Sequence, residues 1–173
     1  VERVWVVDLV RARSRHFPSG VRGCGHGLAA KSLGSMGGKK DTFILRPQLR
    51  FSDGKPLTAK DVKVTFNAQR KDKANSNAAD FDQWTSVAAP AANKVVITLK
   101  GPQPSLPSLL AAPWHAVFPA SAVATGASFW NKPVSAVPYR LHSLPAAAAP
   151  VTLSPPPYYC GATHPIPPLV SSD

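Results

Sequence analysis

The clearest alternation of apolar and polar residues lies in residues 41–50, DTFILRPQLR. Phe43 and Leu45 share one face of an extended chain there, which predicts a β-strand with one buried side. Pro47 has no N–H for a strand ladder, so we expect the strand to end close to it.

A turn and the start of a helix follow in FSDGKPLTAKDV, residues 51–62. Asp53 and Gly54 are residue types that tolerate a turn conformation, and together they predict a tight turn. Thr58, with Asp61 three positions later, is close to a capping box, in which each residue bonds the backbone of the other. We therefore expect a helix to start at Thr58, although Glu or Gln would reach back better than Asp61.

The pattern continues as one amphipathic helix and two strands. Val62, Phe66 and Gln69 lie on one face at helical spacing, and the polar run RKDKANSN should end the helix. WTSVAA and KVVITLK predict two strands joined by a turn at PAAN. In the second of these strands alternate residues face one side, namely Val95, Ile97 and Leu99.

Signals are weaker after residue 100, where 15 of the 19 prolines lie. SLPSLLAAP (105–113) predicts a short helix, and HAVFPASAVA (115–124) a strand followed by a helical turn. VPYRLHSL and APVTLS predict a hairpin. Residues 154–170, SPPPYYCGATHPIPPLV, should hold no regular structure, because each proline removes a donor and restricts its predecessor.

The first forty residues are poorly patterned. VERVWVVDLV is compatible with one strand, and the Gly- and Ser-rich residues 20–40 predict a loop. We therefore divide the chain into a basic N-terminal segment (1–40), an ordered unit (41–153) and a Pro-rich irregular tail (154–173). The predicted fold class is α+β, with short antiparallel strands and two or three short helices.

Charge adds a possible class of partner. The formal net charge is +11, and the first forty residues carry eight basic and two acidic side chains. Such an arm either binds phosphate backbones without sequence preference or is simply solvated. A basic protein that binds nucleic acid or an anionic surface is therefore an alternative function, although no base-recognition motif accompanies it.

Candidate chemistry is sparse, so we predict no enzyme, metal or cofactor. No Ser lies in a GxSxG elbow, and GCGHG lacks the spacing of a phosphate-binding loop. The histidines are scattered without metal-ligand spacing: His16, His26, His115, His142 and His164. Cys24 and Cys160 are compatible with one disulfide or with two free thiols.

Aromatic residues offer the best candidates for ligand contact. Trp114 and His115 are adjacent and either line a ligand-binding surface or lie in packing, and packing is the favoured interpretation for His115. Asp80 and Asp82 are expected to be a solvated pair on a loop, without a general-acid role.

The central stretch resembles a known family. DTFILRPQLRFSDGKPLTAKDVKVTFNAQR is similar to extracytoplasmic solute-binding proteins for oligopeptides, dipeptides and nickel, which typically contain LRPGVKFSDG and PLTAEDV. VAAPAANKVVITLKGPQPSLPSLLAAP and FPASAVATGASFWNKPV resemble later steps of the same family, in the same order. The resemblance spans roughly residues 28–161 and is strongest over 41–118. VSAVPYR departs from the family's GTGPY at Ser135 and Val137.

The resemblance implies a partial lobe of a periplasmic binding protein of the class II type. Family members hold a peptide or metal complex between two lobes and deliver it to the permease of an ABC transporter outside the cytoplasm. It implies no enzyme, and no ligand residue carries over by position. No signal peptide is visible, and the family is much longer, so we expect a second lobe or a partner chain to be missing. A truncated structural fragment that binds no ligand is the third hypothesis.

Overall fold

The computed structural model describes residues 30–36, 38–110, 112–125, 134, 140–143, 151–154 and 169–171. The strands are β1 (Ala30–Met36), β2 (Lys40–Leu45), β3 (Trp84–Ala91), β4 (Lys94–Leu99), β5 (Arg140–Ser143), β6 (Val151–Ser154) and β7 (Leu169–Ser171). The helices are α1 (Ala59–Lys71), α2 (Leu106–Leu110) and α3 (Ala120–Thr125), and two 3-10 turns span Ala78–Phe81 and Pro113–His115. This α+β arrangement, with antiparallel strands and three short helices, confirms the predicted fold class.

Four strands form one antiparallel sheet in the order β1-β2-β4-β3. Phe43 pairs with Val95, and Ile97 pairs with Val87, so the apolar alternation of neighbouring strands falls in register. The side chains predicted to share a buried face on β2 and β4 are all buried, namely Phe43, Leu45, Val95, Ile97 and Leu99. The alternation in the sequence therefore identified the core face of this sheet.

The predicted turn and helix start are confirmed. Gly54 has φ of +84°, and its N–H donates to the carbonyl of Phe51 over 2.9 Å. Helix α1 begins directly after Thr58, whose N–H and hydroxyl both donate to Oδ2 of Asp61, at 2.9 and 2.8 Å. Asp61 therefore completes the capping box, although its side chain is shorter than the Glu or Gln that we expected to reach back better.

Helix α1 packs its apolar face on the sheet. Val62 and Phe66 have no exposed surface, and the Phe66 ring meets Trp84 edge to face at a centroid distance of 5.4 Å. The helix ends at Lys71, within the predicted polar run. From α2, Leu106 and Leu110 enter the same core four residues apart, and Leu109 is partly buried beside them.

Two segments predicted to be irregular form strands. Residues 30–36 lie in the predicted loop, yet β1 pairs with β2 from Met36–Lys40 to Ala30–Leu45. The ladder needs only backbone donors and acceptors, so Gly- and Ser-rich residues can complete the edge of β2. Beyond Pro168, Leu169–Ser171 forms β7 and pairs with β6, because no proline remains to block the ladder.

The hairpin predicted from VPYRLHSL and APVTLS is confirmed by the antiparallel pairing of β5 with β6. Strand β3 runs on through Pro90, which the sequence assigned to a turn, and the pairing register shifts between Ala88 and Ala91. A shift of this kind leaves one residue unpaired, which is where a strand tolerates proline. The strand predicted at residues 1–10 and residues 155–168 of the tail lie outside the described part.

The strand predicted at the start of HAVFPASAVA is wrong. His115 ends the 3-10 turn Pro113–His115, and no strand ladder forms before α3 begins at Ala120. The backbone of this stretch instead finds its partners on helix α1.

Candidate functional site

Three polar side chains of α1 hold the backbone of residues 116–120. Asp61 Oδ1 accepts from the N–H of Ala120 at 2.8 Å. Thr65 Oγ1 donates to the carbonyl of Phe118 at 3.0 Å and accepts from its N–H at 3.1 Å. One turn further on, Gln69 Nε2 donates to the carbonyl of Ala116 at 3.3 Å and to that of Trp114 at 3.4 Å. We call these three side chains the polar ladder of α1.

The spacing of the polar ladder fits the segment it holds. Four helical residues advance about 6 Å, and two residues of extended chain advance about 6.6 Å. Side chains at every fourth position of α1 can therefore meet every second residue of an extended backbone that runs in the opposite direction. These contacts replace the strand partner that the sequence pattern had suggested for residues 115–119.

At the end of the polar ladder, Trp114 and His115 meet Asp80, which lies in the 3-10 turn Ala78–Phe81. Trp114 Nε1 donates to Asp80 Oδ2 at 2.9 Å, and His115 Nε2 lies 3.1 Å from the same oxygen. The structure therefore joins the two predicted ligand-contact candidates through a third residue that lies 34 positions earlier than Trp114.

The two candidates have different environments. His115 has no exposed surface and lies edge-on to the rings of Phe81 and Phe66, with centroid distances of 5.2 and 6.5 Å. The packing alternative is therefore the correct one for His115. Trp114 is 47% exposed even though its N–H is bonded, so part of the indole is open to solvent while Asp80 holds the N–H.

Burial lowers the pKa of His115 below its ordinary value of 6.5, and the neighbouring Asp80 carboxylate opposes this only in part. The neutral ring donates from Nε2 to Asp80, while Nδ1 is buried without a hydrogen-bond partner among the described residues. Protonation would place a second N–H at that unpartnered position, so the ring is neutral at pH 7.

The expectation that Asp80 and Asp82 form a solvated pair is wrong for Asp80. The Asp80 side chain is only 26% exposed and accepts from two rings, whereas Asp82 is exposed. Sequence reasoning missed this role because Asp80 meets Trp114 only through tertiary folding. The one available signal was an acidic residue beside the apolar pair Phe81 and Trp84, both of which are buried.

The four residues predicted to be structural lie near the other end of the extended segment. Asp53 pairs with Lys55 at 3.3 Å in the turn of Gly54, and Thr58 with Asp61 caps α1. A shallow groove lies beside this turn, lined by Asp53, Lys55, Pro119, Ser121, Ala122, Thr125 and Val134. We call Asp80, Trp114 and His115 the Trp114 cluster. None of the residues that line the groove belongs to this cluster, so the two are separate features.

The remaining features concern metal ions, membranes and the cysteines and histidines. In that part of the chain no three His, Cys, Asp or Glu side chains lie close enough to hold a metal ion. None of the described helices is long and apolar enough to cross a membrane. Cys24, Cys160, His16, His26 and His164 lie outside the described residues, and His142 is described by its backbone in β5 alone.

Comparison with known proteins decides the family. The model of bacterial extracellular solute-binding proteins, family 5, middle region, matches residues 26–167. The chain belongs to this family. That assignment confirms the resemblance drawn from the central motifs, and it places the chain in a family whose work is transport-associated binding rather than catalysis.

Relatives and solved structures agree with the family. A Brucella ovis protein named as an ABC transporter peptide-binding protein is 34% identical over 100 residues, which cover 54% of this chain and 19% of that protein. The mannopinic acid complex of MoaA from A. tumefaciens R10 superposes with a TM-score of 0.74 at 28% identity, over 88% of this chain and 31% of that one. The agropinic acid complex of AgaA, from the same organism, gives 0.70 at 28% identity, over 76% and 27%.

The chain spans 19% of the length of the Brucella relative and 31% of MoaA. The matches therefore compare this chain with about a fifth to a third of those proteins.

Proposed function

We propose that the chain is part of the solute-binding component of a peptide-class ABC importer and works outside the cytoplasm. In this proposal it supplies one lobe surface, takes a peptide, an opine-like molecule or a metal complex, and delivers it to a permease. No step of bond making or breaking is involved. The lobe unit, assigned from the sequence to residues 41–153, would also take in β1, because that strand completes the same sheet.

We propose further that Trp114 is the ligand-facing residue of this lobe. The single observation that carries this is the exposed indole, whose N–H is fixed by Asp80 and whose carbonyl is held by Gln69. An aromatic face that is already ordered loses little conformational entropy when a ligand stacks on it. We call this exposed indole the Trp114 platform. The His115 ring lies beside it, with centroids 6.3 Å apart, and makes no ligand contact, because it has no exposed surface.

Family members of this kind act by a shift between open and closed states, in which ligand bridging two lobes stabilises the closed form. One lobe alone offers about half of the contacts and does not enclose the ligand. This chain by itself should therefore bind short peptides weakly, with dissociation constants on the order of a millimolar.

The test is a titration of the full chain with tri-alanine, in which the NMR resonances of the indole N–H groups are monitored. The Trp114 resonance, assigned from its loss in Trp114→Phe, is expected to shift. The Trp84 indole N–H is the internal control, because Trp84 is buried and should not respond. A Trp114 resonance that stays still while other resonances move would show that the ligand surface lies elsewhere.

A second candidate function, binding to nucleic acid or another anionic surface, is favoured by one feature of α1. Lys60, Lys63 and Lys71 are exposed and lie within one arc of the helix, opposite its buried face. Binding of an arbitrary DNA duplex that falls steeply with salt, and is weakened in Lys60→Gln/Lys63→Gln, would support this function. A flat salt response would exclude it.

A further inference from the structure

The charge on Asp80 has no countercharge in the described part of the chain. Its only ion-pair contact there is with His115, and that ring is neutral at pH 7 because burial keeps its pKa below 6.5. Trp114 Nε1 is a neutral donor as well. Two neutral hydrogen bonds orient the carboxylate and leave its full negative charge in place.

The contacts of Asp80 also leave one of its oxygens open. Both rings bond to Oδ2, and no donor among residues 38–110 and 112–125 bonds to Oδ1. The side chain is 26% exposed, which lets a ligand reach it, and three-quarters buried, which reduces screening by water. An anion in this position gains more from a cation than a fully solvated carboxylate does.

The indole lies against the same carboxylate. Because Trp114 Nε1 is 2.9 Å from Oδ2, a group that stands over the exposed indole also stands within a few ångströms of the carboxylate. A cation is attracted by the face of a Trp ring as well as by the carboxylate. The two attractions add only for a positively charged group with N–H donors.

We infer that the Trp114–Asp80 pair is a subsite for a cationic group of the solute, either the guanidinium of an arginine side chain or an ammonium group. This inference rests on the proposed function, because it names the chemical class that the Trp114 platform selects. It fits a peptide-class ligand with a basic side chain or a free amino terminus. The remainder of the chain carries an excess of positive charge, so this pair is a local exception to the general repulsion of cations.

The test compares two probes on the full chain by NMR titration, with the backbone amide shifts of residues 112 and 114–116 as the readout. N-acetyl-arginine amide carries the guanidinium, and N-acetyl-citrulline amide is a neutral molecule of nearly the same shape. The arginine probe is expected to bind about tenfold more tightly. Asp80→Asn keeps a carbonyl acceptor for both rings and should reduce the preference to about twofold or less.

Asp82→Asn is the matched control, because Asp82 is an exposed carboxylate two positions away, and it should leave the preference unchanged. Equal binding of the two probes would overturn the cationic subsite and leave the proposed solute-binding function standing. Binding of neither probe and of no tri-alanine would overturn the proposed function together with this inference. If Asp80→Asn does not fold, the preference of the unmodified chain for the arginine probe, and its decline with added salt, decide the question.

Discussion

Asp61 connects two parts of the fold, so its replacement should cost more than the loss of a helix cap. Its Oδ2 accepts the N–H and hydroxyl of Thr58 at 2.9 and 2.8 Å, and its Oδ1 accepts the N–H of Ala120 at 2.8 Å. Thr58→Ala removes only the hydroxyl and should cost about 1 kcal/mol. Asp61→Ala removes all three bonds to a charged acceptor.

The magnitude follows from these contacts. Each of the three hydrogen bonds contributes about 1 kcal/mol at this partly exposed site, about 3 kcal/mol together, and the carboxylate adds about 0.5 kcal/mol beside the helix N-terminus. Ala is a better helix former than Asp by about 0.5 kcal/mol, which offsets part of the loss. We expect Asp61→Ala to lower the free energy of unfolding by about 3 kcal/mol, or the melting temperature by roughly 6–12 °C.

Urea unfolding monitored by circular dichroism gives the free energy, with the m-value checked for constancy, and thermal unfolding gives the melting temperature. Ala120→Pro is an independent probe, because proline at the first position of a helix removes the N–H without opposing helical φ. It should cost about 1 kcal/mol alone and little when Asp61 is already Ala. If the free energies of unfolding of Asp61→Ala and Thr58→Ala differed by less than about 0.5 kcal/mol, the bond to Ala120 would contribute nothing.

The remaining predictions concern the core, one turn, one histidine and affinity. Phe66→Ala should cost about 3–5 kcal/mol in the same urea assay, since Phe66 has no exposed surface and its ring meets Trp84 edge to face. Lys63 is exposed, so the control Lys63→Ala should change the free energy of unfolding by no more than about 0.5 kcal/mol. Gln48 has φ of +61° where the family motif quoted above has glycine, so Gln48→Gly should raise the unfolding free energy by about 0.5–1 kcal/mol, and a loss of stability would contradict the strain argument. The lowered pKa of His115 means that the unfolded chain binds more protons below pH 6.5, so stability should fall as the pH drops below 6.5, by at most about 1.4 kcal/mol per unit. His115→Gln should lose this part of the slope, and an identical pH dependence in both proteins would refute it. Calorimetry with tri-alanine should give an affinity weaker than about 0.1 mM for this single lobe, and low-micromolar binding would contradict the need for a second lobe.

Local signals in the sequence predicted the local structure. The alternation on β2 and β4, the turn at Gly54 and the cap at Thr58 depend on neighbouring residues, and each was found where the pattern placed it. Strand β1 could not be found in this way, because its residues have little strand preference and its pairing depends on the free edge of β2. An edge strand of this kind forms because the backbone of its partner strand is free to pair, and its own residue types give little sign of it.

Only part of the candidate site could be predicted from the sequence. Trp114 and His115 stood out as an adjacent aromatic pair, but Asp80 lies 34 residues before Trp114, and no spacing rule connects them. The strand wrongly predicted at residues 115–119 has the same cause, namely a partner that is distant in the sequence. Its apolar pattern suits an extended chain, which is what forms, but the partner is a row of polar side chains on α1 rather than another strand.

The polar ladder connects the stability of α1 with the position of the Trp114 platform. Asp61 caps the helix and holds Ala120, while Gln69, two turns later, holds the carbonyl of Trp114. The ladder residues are thus spread along α1, whose apolar face packs in the core. The segment that carries Trp114 is therefore hydrogen-bonded to an element of the core. The proposed ligand-facing role of Trp114 would benefit from such order, because little further entropy is lost on binding. Gln69→Leu should therefore disorder the Trp114 indole, seen as a broadened or shifted N–H resonance, at a smaller cost in stability than Asp61→Ala. An unchanged Trp114 resonance in Gln69→Leu would separate the helix from the platform and refute this connection.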